Sequence, residues 1–192
     1  MLNERQKIEF NALRFEIIDL NISAYFYIRK TNRLSYILKK TTREYFIEEL
    51  TALRYLENGI ILHLTNLDDD KAKYSFRSVK AIISATSRSQ IDVLKLNKEL
   101  QLFRQHVNDV KVKHRNSRIA HLNSEDFMNI DEFLNFEMEL KPLILEANRI
   151  ADHIWGENIN VKYKLGSSEG VIDFKSVGKD LKVNHDANTG FA

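Results

Sequence analysis

The sequence predicts an all-α protein, an antiparallel bundle of four or five helices with a small C-terminal appendage that is extended or forms a β-hairpin. Of the six glycines only Gly59 precedes residue 156, and the single proline is Pro142. The first 155 residues are therefore nearly free of the two residue types that most disfavour a helix. Apolar residues in this part recur at three- and four-residue spacing, which gives a helix one apolar face. The links between the apolar stretches are short, which favours antiparallel neighbours.

Four apolar stripes predict the four long helices, in chain order. They are Phe10, Leu13, Ile17, Leu20, Ala24 and Ile28; Phe46, Leu50, Leu53, Ile60 and Leu64; Leu96, Leu100, Phe103, Val107 and Val110; and Phe136, Leu140, Leu143, Ala147, Ile150 and Ile154. A weaker apolar patch from Tyr74 to Ile83 predicts a short helix between the second and the third. Just before that patch, Asp68, Asp69 and Asp70 predict a turn with solvated carboxylates.

Helix starts are indicated by pairs of polar residues that match the capping box, in which two side chains bond free backbone N–H groups. The pairs are Thr41 with Glu44, Ser87 with Gln90, and Asn129 with Glu132. Pro142 cannot donate a backbone hydrogen bond to residue 138, so it is expected to kink or restart the fourth helix.

The character of the chain changes after Trp155, and we divide it into a bundle over residues 1–155 and an extension over residues 156–192. Alternating residues from Val161 to Leu165, the run GSSEG and the stretch Val171–Phe174 predict a hairpin or an extended strap. The tail beyond Gly178 is expected to be mobile.

Composition limits the classes of function. The chain of 192 residues is 43% hydrophobic and contains no cysteine, so it can build a core but neither a disulfide nor a thiolate metal site. We find no glycine-rich phosphate loop and no clear metal cluster, so no cofactor and no metal are expected. There is no apolar run of about 18 residues, which argues against a membrane span. The N-terminus also lacks the apolar run of a signal peptide, and we expect a cytoplasmic protein.

Charge is unevenly distributed although the net charge is only +2. Residues 20–43 contain six lysines and arginines and no acid, and residues 110–124 contain four and no acid. Two basic islands on an otherwise acidic chain suggest an anionic partner at defined places, although charge runs also occur on solvated helix ends.

The second island contains the stretch most typical of chemistry, HRNSRIAHLN from His114 to Asn123. Arg115 can bind a phosphate through its planar guanidinium, and His121 can give and take a proton near neutral pH. The two together can cut an RNA phosphodiester without a metal, because RNA carries its own 2′-hydroxyl nucleophile. Around them, Lys111, Lys113, His114 and Arg118 are candidates to bind the flanking RNA.

Geometry adds a condition to this hypothesis. On a straight α-helix, Arg115 and His121 lie roughly 120° apart around the axis. Either the helix begins or breaks near Asn116, which can act as an N-cap, or a second subunit completes the site. Alternatively, His121 continues the buried stripe and Arg115 contacts only solvent.

The motif resembles that of the HEPN superfamily, most closely its phage abortive-infection and toxin branches. The resemblance rests on Arg115, Asn116 and His121 next to a long helix in a helical chain. It implies a helical bundle that forms a homodimer and brings two motifs together, as in metal-independent ribonucleases. Arg115 and His121 would then be the catalytic pair and Asn116 the polar residue that orients it. The implied partners are RNA and an antitoxin or regulatory protein, in antiphage defence or as a toxin.

The sequence leaves two other functions open: a non-catalytic HEPN-like module that binds RNA, nucleotide or protein, and a helical interaction domain without a nucleic-acid role.

The other histidines carry weaker hypotheses. His106 and His114 with Asp109 are interpreted as solvated or capping residues rather than metal ligands. His63 is interpreted as a hydrogen-bonded core residue. Arg149 and His153 are expected to support a helix C-terminus.

Overall fold

The fold is a helical bundle, as the sequence predicts. The computed structural model of the chain describes residues 3–72, 74–85, 90–119, 133–155, 161–165 and 168–172. Within these residues the chain forms five α-helices and one hairpin. The helices are α1 (Glu4–Lys40), α2 (Arg43–Leu67), α3 (Phe76–Ala85), α4 (Gln90–Val110) and α5 (Lys141–Trp155). The four long helices and the short α3 correspond to the four stripes and the weaker patch, so the predicted fold class is confirmed.

Two of these helices are joined to π-helical segments, in which each N–H bonds a carbonyl five residues earlier. Lys111–Ile119, the π-helical extension, continues α4, and Phe136–Leu140 leads into α5. At the second junction the N–H of Lys141 donates to the carbonyl of Phe136. Pro142, the second residue of α5, has no N–H to donate, so the bonding pattern changes beside it. The predicted restart of the helix is therefore confirmed as a change from π-helical to α-helical hydrogen bonding beside Pro142.

The hairpin consists of β1 (Val161–Leu165) and β2 (Ser168–Ile172), which pair antiparallel. The register pairs Val161 with Ile172 and Leu165 with Ser168. The hairpin prediction is confirmed, but its second strand begins earlier than the expected Val171, because part of the run GSSEG joins the strand. The tail beyond Gly178 lies outside the described residues.

The core is one cluster in which the apolar faces of all five helices meet. Among its members with at most 1% exposure are Leu13, Ile17, Leu20, Ile28, Ile60, Leu64, Val79, Phe103, Val107, Leu140, Ala147, Ile150 and Ile154. Burying each large aliphatic side chain stabilises the fold by about 1.5–3 kcal/mol. The predicted stripes are therefore the core-facing stripes, except that Phe46 and Leu50 of the second stripe are half-buried outside this cluster. No helix among the described residues is long and apolar enough to cross a membrane.

The helix caps differ in detail from the prediction. The N-cap of α2 is Thr42, whose hydroxyl accepts from the N–H of Tyr45 at 3.4 Å, while Thr41 ends α1. The predicted capping box of Thr41 and Glu44 therefore places the N-cap of α2 one residue too early. Ser87, Asn129 and Glu132 lie outside the part of the chain that the structure describes. The segment Phe136–Leu140 before α5 is capped by Asn135, whose side chain accepts from the N–H of Met138 at 3.2 Å.

Buried polar groups fix the helices relative to one another. Asn21 and Asn148 exchange two side-chain hydrogen bonds of 2.8 Å and so join α1 to α5. The fully buried carboxylate of Glu57 accepts from the backbone N–H of Leu134 at 2.6 Å. Because residues 133–135 lead into the Phe136–Leu140 segment, this contact anchors the start of that segment on α2.

Candidate functional site

The first half of the motif, which includes Arg115 and Asn116, lies on the π-helical extension of α4. This segment, Lys111–Ile119, includes Arg115 and the backbone of Asn116 and Arg118. Helical backbone is continuous through Asn116, so the alternative in which Asn116 caps a new helix is wrong. The break is instead a change from α to π hydrogen bonding at Lys111. Long π-helices are rare, and π-helical turns occur frequently at functional sites. The side chains of Asn116 and Arg118, and all of His121, lie outside the described residues.

Arg115 points to the turn that follows α2. Its Nη2 lies 3.7 Å from Oδ2 of Asp69, and the two side chains are 25% and 28% exposed. Charge-assisted hydrogen bonds are normally 2.7–2.9 Å long. The contact is thus a loose ion pair at a solvent-accessible place.

The turn itself, Asp68–Asp70, is held by two further arginines, and we call it the acidic turn. Nε of Arg104 lies 2.9 and 3.1 Å from the two carboxylate oxygens of Asp68. Nη2 of Arg104 lies 2.8 Å from Oδ2 of Asp70. Arg77 of α3 approaches the opposite oxygen of Asp70 at 3.1 Å. Asp68 is only 5% exposed, so the prediction of solvated carboxylates is wrong for this residue.

The arginines set the electrostatics of the acidic turn. The hydrogen bond from Arg104 holds the pKa of Asp70 below its ordinary value, with smaller contributions from the charges of Arg77, Arg104 and Lys111. The pKa of Arg104 is raised by the same bond to Asp70 and by Asp68. Lys111 therefore lies within the field of this turn, as does Arg115 through Asp69. The positive charges of Lys111 and Arg115, both in the second basic island, are therefore partly neutralised by carboxylates of the acidic turn.

Other motif residues face a cleft of about 450 Å³ between α4 and α5. Lys113 and His114 of the π-helical extension form part of its wall. The described residues that line it are Gln105, His106, Asp109, Val110, Lys113, His114, Met138, Glu139, Pro142, Leu143 and Glu146. Arg115 is not part of this lining. The structure thus brings together Lys113 and His114 and separates them from Arg115 and Lys111.

Three histidines make the same contact, an Nδ1 atom next to a glutamate on another helix. The distances are 2.9 Å for His63 and Glu16, 2.8 Å for His106 and Glu146, and 2.7 Å for His153 and Glu99. The side chains of His63 and His153 are 23% and 21% exposed, whereas that of His106 is 55% exposed. His63 and His153 therefore fit structural roles, whereas His106 presents its ring to the cleft.

These contacts correct one prediction and refine two others. His153 lies in the last turn of α5, as predicted, and it also binds Glu99 of α4, as does Arg149 four residues earlier at 2.5 Å. His106 is not simply solvated, since Glu146 holds it. His63 is hydrogen-bonded, as predicted, but is a quarter exposed rather than fully buried. Within the described ranges no three acids and histidines are arranged to hold a metal ion, so His106, Asp109 and His114 do not form such a group.

Comparison with family models, with curated proteins and with solved structures returns no significant match. The HEPN resemblance therefore rests on the motif residues themselves. Sequence reasoning missed Arg104 and Glu146, which organise the acidic turn and the cleft. Neither has a local sequence signal, because their partners lie 36 and 40 residues away.

Proposed function

We propose that the protein is a metal-independent endoribonuclease of the HEPN type, which acts as a toxin or an antiphage effector in the cytoplasm. The observation that carries this proposal is the π-helical extension, a rare helical form that bears Arg115 and Asn116 of the motif. It has no acidic residue of its own, it carries the quarter-exposed Arg115, and it contributes Lys113 and His114 to a cleft. Accessible cations on an acid-free segment favour a polyanionic substrate.

In this proposal the guanidinium of Arg115 binds the scissile phosphate and stabilises the charge that develops on it. An imidazole of His121 transfers a proton, either from the 2′-hydroxyl or to the leaving 5′-oxygen. Asn116 orients the pair, as the family resemblance implies. The flanking RNA is bound by Lys111, Lys113, His114 and Arg118.

The loose contact with Asp69 is compatible with this role of Arg115. Exposed ion pairs contribute only about 0–1 kcal/mol, so a phosphate can replace the carboxylate at little cost. Arg104 is different, because its shorter contacts to Asp68 and Asp70 commit it to the fold. Arg115 is therefore the arginine at the acidic turn that is best suited to exchange its partner.

The proposal includes a homodimer, which the family resemblance implies and which would place two copies of the motif side by side. A histidine from each copy can then divide the acid and base steps. An antitoxin or regulatory protein is the second expected partner, because a free ribonuclease would damage the cell that makes it.

The test is cleavage of a labelled RNA by the purified full chain in excess EDTA, next to the same strand with 2′-deoxyribose throughout. We expect cleavage of the RNA alone, with 2′,3′-cyclic phosphate and 5′-hydroxyl ends, because the 2′-hydroxyl is the nucleophile. Cleavage of both strands, or cleavage that disappears with EDTA, would contradict the proposed chemistry.

The alternative is a non-catalytic module that binds RNA, nucleotide or protein. The specific observation in its favour is the acidic turn, which partly compensates Arg115 and Lys111. RNA binding that weakens steeply with salt, without cleavage in the assay above, would favour this alternative.

A further inference from the structure

We propose that the cleft between α4 and α5 is a guanine-binding site, and, resting on the proposed function, that it selects a guanine in the RNA substrate. Three properties of the lining support this assignment: an apolar floor, one carboxylate without a partner among the described residues, and a cation that lines the same cleft.

The floor of the cleft is suited to the flat face of a base. Val110 and Leu143 are buried at 7% and 5% exposure, and Met138 stands 75% exposed beside them. Methionine is flexible and polarisable, so it packs well against aromatic rings, and Pro142 adds a rigid apolar surface. A volume of about 450 Å³ lies within the range of small-molecule sites, about 300–1,000 Å³.

Among the described residues three carboxylates line the cleft, and two of them are hydrogen-bonded. Glu146 binds Nδ1 of His106 at 2.8 Å, and Glu139 accepts from the N–H of Asn135 at 2.7 Å. Asp109 is the lining carboxylate for which no partner is found among the residues that the structure describes. It lies exposed on α4, three residues after His106, and Lys113 follows on the π-helical extension. All three side chains line the cleft.

This arrangement distinguishes the bases by hydrogen bonding. An ionised carboxylate only accepts, and its two oxygens can take two parallel donors. Guanine presents two adjacent donors, N1–H and N2–H₂, on its Watson–Crick edge, whereas adenine and cytosine present one amino group and uracil one N–H. Unstacked RNA bases are commonly read on this edge. Guanine is therefore the base that fits Asp109 best.

Lys113 completes the match. The O6 atom of guanine, next to N1–H, needs a donor, and an ammonium group has three. Lys113 already has an interaction within the chain. With three donors it can keep that interaction and also donate to O6. Glu146 holds Nδ1 of His106 at 2.8 Å, which leaves Nε2 of that ring available to a ligand. The residues of this site are His106, Asp109 and Lys113, with Met138 and Leu143 below the base.

The same chemistry can come from an RNA strand or from a free guanine nucleotide, and one set of titrations distinguishes them. The full-length protein is titrated with GMP, IMP, AMP and CMP, and with two short 2′-O-methyl RNAs that differ by one guanine. We expect GMP to bind about tenfold or more tightly than the others, with IMP weakened because it lacks the N2 amino group. A matching preference among the RNAs assigns the site to the substrate, and a preference confined to GMP assigns it to a free nucleotide.

The matched variants are Asp109→Asn and Asp19→Asn, both at exposed helical positions. Asp109→Asn should remove the preference for GMP, and Asp19→Asn should keep it. Equal affinities for all four nucleotides, or an unchanged preference in Asp109→Asn, would overturn the guanine site. Because nucleotide binding needs no cleavage, a protein that prefers GMP but leaves RNA intact contradicts only the nuclease proposal. A protein that cleaves RNA without a guanine preference contradicts only the guanine site.

Discussion

Replacement of Arg115 by alanine is expected to slow RNA cleavage by about 10²–10³-fold, the usual loss when one preorganised group that stabilises transition-state charge is removed. The fold should survive, because the contact with Asp69 is long and both side chains are about a quarter exposed. Its loss should lower the free energy of unfolding by at most about 1 kcal/mol. Single-turnover cleavage rates and thermal melting together separate a catalytic defect from an unfolded protein.

Two further variants sharpen this test. Arg115→Lys keeps the charge but loses the planar fork that binds a phosphate through two donors, so its rate should lie between wild type and alanine. Arg5→Ala removes an arginine that is 86% exposed in a surface pair on α1, and it should cleave at the wild-type rate. Wild-type cleavage by Arg115→Ala would remove this residue from the mechanism.

The largest expected effect on stability is that of Asp68→Ala, about 2–3 kcal/mol. Asp68 is 5% exposed and receives three hydrogen bonds from Arg104, two of them on its carboxylate. Its removal leaves the guanidinium without its main partner at the junction of α2 and α4. Urea unfolding at pH 7 measures the change through the midpoint of the transition.

The matched control is Asp70→Asn, because Asp70 shares Arg104 but is 56% exposed. Asp70→Asn should lower the free energy of unfolding by less than Asp68→Ala does, and the size of this decrease should depend on pH. Because Arg104 lowers the pKa of Asp70 in the folded state, the carboxylate stabilises the fold above its unfolded pKa. This stabilisation is lost as the pH falls through the lowered folded pKa. An Asp68→Ala variant as stable as wild type would contradict the role assigned to the acidic turn.

Local periodicity predicted the fold because each long helix carries its own apolar stripe. Phe103 and Val107, for example, lie four apart and are both buried. The cap of α2 was missed by one residue because Thr41 and Thr42 are adjacent and chemically alike. The π-helical extension was not predicted, since no residue in Lys111–Ile119 distinguishes an i+5 from an i+4 hydrogen bond.

The surroundings of the site depend on contacts that are distant in sequence. Asp68 is buried because Arg104, 36 residues later, binds both of its oxygens. His106 lines a cleft because Glu146, 40 residues later, holds its ring. Residue types in one segment cannot show such pairings, so the motif could be found from sequence while its neighbours could not.

The most direct test of the central claim is the rate of RNA cleavage by His121→Ala in excess EDTA, beside wild type and His63→Ala. His63 is a suitable control because it lies outside the motif in sequence and Glu16 gives it a contact between α1 and α2. If His121 transfers a proton at the phosphate held by Arg115, its alanine variant should be about 10²–10⁴-fold slower, while His63→Ala keeps its activity. Cleavage by His121→Ala at the wild-type rate would contradict the assignment of the motif as a ribonuclease site.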